Sequence, residues 1–186
     1  QGETIDCASV LLHVMNILFA KVHMGHKPHF SVWFTLLEQF SNAAKLDPSL
    51  ESSINSTIRC LLDDYPEFFP GRRTLQLGLR TAERTKDGRL AADLIEREAR
   101  KRDRQNIQHK SLALNTLPPQ VFQKALEITF QCGDADSATT ILDTFRSRDE
   151  GSPQASNTEM HGLVVLTLVN AQRSQDAKRM LLLMVE

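Results

Sequence analysis

A chain of 186 residues is long enough to bury a substantial core, and its 41% hydrophobic and 24% charged residues exclude global disorder. A formal net charge of −1 excludes an overall positive excess, so any polyanion site has to come from segregated basic residues. No apolar run reaches the roughly 18 residues that span a bilayer, so no membrane insertion is expected.

The first 70 residues read as irregular helices, a cap or diverged repeats. Leu11, Val14, Met15, Leu18 and Val22 form one helical stripe, and Trp33, Leu36, Leu37 and Phe40 form another. Between them, His23, His26 and His29 stand at three-residue intervals. Gly25 and Pro28 interrupt any common ligand face, so the segment reads as a polar inter-helix loop rather than a metal site. Asp47-Pro48 supplies a helix start ahead of the stripe Ile54, Ile58, Leu61, Leu62, and the two prolines and glycine of residues 63–73 end that helix.

Residues 71–186 repeat. Phe122, Ala125, Leu126, Thr129 and Phe130 share one helix face, and Ala138, Ile141, Leu142 and Phe145 share the next. Thirty-nine positions on come His161, Val164, Val165, Leu168 and Val169, then Ala177, Met180, Leu181 and Met184. Forty-seven positions back come Leu75, Gly78, Leu79, Ala82 and Glu83, then Ala91, Leu94, Ile95 and Glu98. Three helix-turn-helix units are therefore expected at 74–100, 119–147 and 158–186. The unequal steps place extra residues between units, as loops or a longer helix end. Ala91, Ala138 and Ala177 open each second helix, where a small side chain lets the two helices approach.

The corner Asp134-Ala-Asp136-Ser137 has the start of a calcium loop but not its remainder. Ala138 stands at the fifth position, Thr139 at the sixth and Phe145 at the twelfth, where oxygen, glycine and glutamate are needed. Gly133 instead closes one helix, and Asp134 or Asp136 caps the next. Nucleophile, zinc-protease, phosphate-loop and dinucleotide motifs are all missing from the sequence, so neither catalysis nor a cofactor is expected. Cys7, Cys60 and Cys132 form no CxxC pair and read as free thiols in a reducing compartment. The chain opens at Gln1 without a methionine, as expected of a piece of a longer or processed protein.

Basic residues do segregate. Residues 96–110 hold six Lys or Arg against three acids, including Arg97, Arg100, Lys101, Arg102, Arg104 and Lys110, and Arg72, Arg73, Arg80 and Arg84 precede them. Such a strip can be the solvated outer side of a helix, or it can face the phosphates of a polyanion.

Residues 170–186, with Ala171, Arg173, Ala177 and Met184, and residues 131–145, with Gly133, Ala138, Ile141 and Leu142, resemble pentatricopeptide repeats. The prolines in the links before the second and third units, in residues 117–122 and 151–157, fit the same pattern. The resemblance implies an all-α, right-handed α-solenoid of stacked helix-turn-helix repeats, five to seven hairpins' worth of chain. It further implies RNA as partner within an organellar ribonucleoprotein, a mitochondrial ribosome or RNA-processing assembly, with a plastid as alternative and no DNA. Carried over residue by residue, the base-reading positions fall on Gln76, Gln123 and Gly162 and on Gly71, Pro118 and Asn157. Of these, Gln76, Gln123 and Asn157 can bond a base edge. A tetratricopeptide-like protein–protein scaffold in a multi-subunit complex is the alternative, since it shares the small-residue corner and the helical spacing.

Overall fold

The protein's structure, a computed structural model, describes residues 7–68, 70–109, 117–147 and 155–185. The described residues form nine α-helices, one 3-10 turn and no strand. The chain divides into two units, Gln1–Phe68 and Phe69–Glu186.

The first unit holds α1 (Cys7–His23), α2 (Phe30–Ala43) and α3 (Glu51–Asp64), each packed on the other two. The stripes expected from spacing face its core: Trp33, Leu36, Leu37 and Phe40 from α2, with Ile54, Ile58, Leu61 and Leu62 from α3, are all buried. On α1 only Met15, Leu18 and Val22 are buried, while Val14 is turned outward. Asp47 caps the 3-10 turn Pro48–Leu50 by accepting from the Ser49 amide at 3.0 Å. The end of α3 is pinned by aromatic packing. Trp33 Nε1 donates to the Tyr65 hydroxyl at 2.9 Å, the Phe30 ring lies 5.5 Å from that of Tyr65, and Lys27 sits 5.3 Å over it while donating to the Asp64 carbonyl at 2.7 Å.

The second unit is three hairpins. They are α4 (Arg72–Thr85) with α5 (Gly88–His109), α6 (Pro119–Cys132) with α7 (Ala135–Arg146), and α8 (Ala155–Asn170) with α9 (Ser174–Val185). The first helices pack in sequence, α4 on α6 and α6 on α8, and α5 packs on both helices of the next hairpin. Consecutive packing of this kind is compatible with a helical repeat.

Backbone geometry repeats with the sequence. Lys86, Gly133 and Gln172, again 47 and 39 positions apart, all adopt the left-handed conformation, with φ of 56°, 68° and 59°. After each, the next amide reaches back to the first helix: Asp87 to the Ala82 carbonyl, Asp134 to Thr129 and Arg173 to Leu168, at 2.9, 3.0 and 2.8 Å. These six-to-one bonds satisfy carbonyls that a helix end otherwise orphans. The second helix then starts at once, and Ala91, Ala138 and Ala177 are buried against the partner helix.

Asp87 and Asp134 cap these second helices, accepting from the Leu90 amide at 2.9 Å and the Ser137 amide at 3.1 Å. Asp136 is not a cap. It lies in the first turn of α7 and pairs with Arg173, which occupies the cap position of the third hairpin and also holds Asp176 at 2.8 Å. Gly88 is required sterically, because a Cβ there would lie 2.9 Å from the Cβ of Asp134 in the next corner. The extra residues of the 47-residue step lengthen α5, which runs to His109 where the equivalent end of α7 is Arg146. In the third unit α8 starts at Ala155, three residues earlier than expected.

The three left-handed corner positions give opposite expectations. Lys86→Gly and Gln172→Gly should each stabilise by about 0.5–1 kcal/mol, since a left-handed L-residue costs about 1–2 kcal/mol and glycine returns part of that in unfolded-chain entropy. Gly133→Ala should destabilise by about 1 kcal/mol, although nothing lies within 4 Å of the added methyl. Urea unfolding of the three variants checks this, and a common sign would contradict it.

Candidate nucleic-acid interface

The face of α4 turned away from its hairpin partner is built of arginines. The stripe Leu75, Gly78, Leu79 and Ala82 is buried, which fixes the helix's rotation. Arg73, Gln76, Arg80 and Arg84 then share the opposite side within about 80° of arc at 100° per residue, with Arg72 beside them, and all five are exposed. Glu83 is the one acid of α4, and its Oε1 lies 2.8 Å from Lys124 Nζ on α6. That hydrogen bond is the main reason the Lys124 ammonium is held above its usual pKa. The acid is thus engaged by the neighbouring hairpin.

The basic run of α5 is different. Arg100 pairs with Glu96 one turn earlier, Arg89 lies 4.0 Å from Asp93, and Arg97 is half-buried. Ion pairs of this i,i+4 kind solvate a helix face and cancel its charge. Lys101, Arg102 and Arg104 belong to α5, but their side chains, like the whole of Lys110, lie outside the described residues.

Gln76 on α4 and Gln123 on α6 hold equivalent positions on adjacent first helices. Gln76 is exposed, whereas Gln123 is half-buried next to the buried Phe122, whose ring meets Phe145 edge-on at 5.2 Å. Gly71 and Pro118 are the cap residues ahead of α4 and α6. Asn157, expected at the end of a link, lies instead inside α8, and its side chain is outside the described residues. Gly162 is half-buried and offers no side-chain group.

Two features escaped sequence reasoning. His161, in the position of Phe122, is buried and clamped by Arg146 of the preceding hairpin, whose Nε and Nη2 lie 3.1 and 2.6 Å from His161 Nε2. The guanidinium has only donors, so Nε2 is the acceptor and the imidazole is neutral. The departure from an aromatic residue was legible, but its partner was not. Second, the apolar stripe of the last hairpin is not fully covered. Leu181 is 49% exposed, whereas its equivalents Ile95 and Leu142 are at 0%; Leu166, Val169 and Leu182 are exposed beside it.

The remaining chemistry-bearing cluster lies in the first unit. Cys60, His23, Asp64 and Ser56 line a pocket of about 150 Å³ together with Phe19 and Val22. The Cys60 thiol lies 3.4 Å from Asp64 Oδ2. Burial, then the hydrogen bond and charge of Asp64, push its pKa up to about 12, so at neutral pH it is a hydrogen-bond donor and not a nucleophile. His29 has a structural role, accepting the Ser31 amide at 3.3 Å to cap α2. Cys132 is likewise pushed up by burial. Among the described residues no group of three His, Cys, Asp or Glu is placed to hold a metal ion, and no helix is long and apolar enough to cross a membrane.

Comparison with protein-family models, curated proteins and solved structures returns no match.

The Cys60 environment fixes a pH dependence. The unfolded chain releases the thiol proton near 9 and the folded chain holds it to about 12, so this contribution to stability is full below pH 9 and is lost as pH rises toward 12. In a protein whose only cysteine is Cys60, alkylation by iodoacetamide should still be accelerating between pH 9 and 11. A plateau by pH 9 would contradict the assignment.

Proposed function

We propose that the protein is a non-catalytic helical-repeat protein that binds RNA, acting inside an organellar ribonucleoprotein such as a mitochondrial ribosome or RNA-processing assembly. The observation that carries the reading is the arginine row of α4, presented by a first helix whose one acid is engaged elsewhere. Guanidinium groups on a rigid helix suit phosphate recognition, since each offers planar, bidentate donors and keeps its charge. The repeat supports it too: corners recur at 47 and 39 positions and consecutive hairpins pack on one another, an arrangement compatible with a helical repeat. On this reading the stack winds as a right-handed solenoid with its first helices lining the concave side. Gln76 and Gln123 are then the polar groups nearest the bound chain.

A second reading has its own observation. The exposed Leu166, Val169, Leu181 and Leu182 of the last hairpin suit a tetratricopeptide-like scaffold that seats a protein neighbour, since apolar side chains grouped this way mark interaction surfaces. Inside a large assembly both can hold, but only the first needs the arginines.

The test is binding of labelled RNA, single-stranded and hairpin probes together, by the full chain at 50 mM KCl. Reversing Arg73, Arg80 and Arg84, all exposed, to Glu should weaken binding by at least tenfold while the helical circular dichroism spectrum is retained. Equal affinity of variant and parent would remove the arginine row from the function. Loss of binding on changing Leu166 and Leu181 to Glu, with the arginine variant unaffected, would transfer the function to the scaffold reading.

A further inference from the structure

The scaffold reading can be carried to the form of its partner, and resting on that reading we propose that the open face of α8 and α9 seats an amphipathic helix of a partner protein. The fold shows such a seat twice. α6 lies against both α4 and α5, and α8 lies against both α6 and α7, so each of the first two hairpins receives one helix across its pair. The seated helices are 14 and 16 residues long, about four turns. In these two filled hairpins Ile95 and Leu142 are fully buried. Leu181, at the same position of the third hairpin, is about half exposed.

The seats differ in chemistry, and the difference says what the third one takes. At the first, Glu83 of α4 meets Lys124 of the incoming α6 at 2.8 Å. At the second, the same two positions hold Phe130 and Leu163, both half-buried. Charge is matched there by charge and apolar surface by apolar surface, as burial requires. At the third, the seat's residue is Val169, so the incoming helix carries an apolar side chain where α6 has Lys124.

The third face is also wider in apolar surface than the other two. Leu166 stands where those hairpins have Arg80 and Glu127, and Leu182 where they have Glu96 and Asp143. A repeat whose outer face meets water carries polar residues on it, whereas α8 and α9 expose four apolar side chains on paired helices. Leu166 and Val169 are one turn apart on α8, and Leu181 and Leu182 are neighbours on α9. Two such rows receive the stripe of an amphipathic helix, the way helical segments dock in apolar grooves. Lys178, exposed one turn before Leu181 and Leu182, favours an acidic residue at the edge of that stripe.

The experiment uses the helix that fills the second seat as its probe. A fluorescein-labelled peptide of residues 155–170, and a second of the same composition in scrambled order, are titrated into the full chain, with sedimentation velocity of the chain alone beside them. The native-order peptide should bind one to one, gain helical circular dichroism on binding, and bind at least tenfold tighter than the scrambled one. Val169→Asp with Leu181→Asp in the full chain should lower its affinity at least tenfold while the chain's own helical spectrum is retained, since both residues are exposed. Equal affinity of the two peptides, both lost in the double variant, would overturn the helical seat and leave the scaffold reading standing. A dimer of the parent chain that the double variant dissolves would give the face to a second copy and overturn the seat as well. No binding of either peptide, or binding that the double variant leaves unchanged, would also overturn it, and the scaffold reading would then stand or fall on its own Leu166 and Leu181 variants.

Discussion

The second unit depends on a single backbone event made three times: a left-handed residue that ends each first helix and lets the next amide reach five residues back. Lys86, Gly133 and Gln172 perform it with nearly the same φ, and the three closing bonds differ by no more than 0.2 Å. The reversal starts the second helix at once, and positions 91, 138 and 177 near its start are all buried alanines. It also places the capping aspartates in register, which brings Asp134 against the backbone of Gly88. Stacking through the corners therefore leaves no room for a side chain at that position. From these contacts follows the order of first helices, and from that order the direction in which α4 faces.

Charge is sorted by the same frame. Acids collect at the corners, where Asp87 and Asp134 serve helix N-termini and Asp136 and Asp176 bind Arg173. They accept amide hydrogens, complement helix dipoles or pair with Arg173, so their negative charge does structural work at the corners. A chain of net charge −1 can in this way carry a strongly positive helix face. The ion pairs of α5 show the alternative outcome, in which neighbouring acids cancel a run that looks basic when read along the chain.

How much of this was legible depends on what the residues had to satisfy. The hairpins and their register could be read because burial demands apolar side chains at helical spacing and corners demand small ones. Gly133 announced its own conformation, whereas Lys86 and Gln172 did not, since a lysine or glutamine in that conformation leaves no mark in composition. The long α5 was ambiguous because the polar residues after Ala99 fit a solvated helix as well as a loop. Asp136 looked like a cap because its true partner, Arg173, is 37 residues away. Leu181 and Val169 carried the right periodicity yet are exposed, although Ile95 and Leu142, the equivalents of Leu181, are buried. Of the candidate interface, the residue types were readable and their sharing of one face followed from spacing. That Glu83, the one acid of α4, is engaged by Lys124 of the next hairpin was not, since the two are 41 residues apart.

The central claim is that α4 presents the anion-facing surface. Arginine footprinting with phenylglyoxal, read by mass spectrometry with and without saturating RNA, tests it most directly. Bound RNA should protect Arg72, Arg73, Arg80 and Arg84 severalfold and leave Arg89 and Arg179 unchanged, the latter two being about four-fifths exposed. Protection at Arg89 or Arg179 with none on α4, or no protection while RNA is bound, would contradict the account.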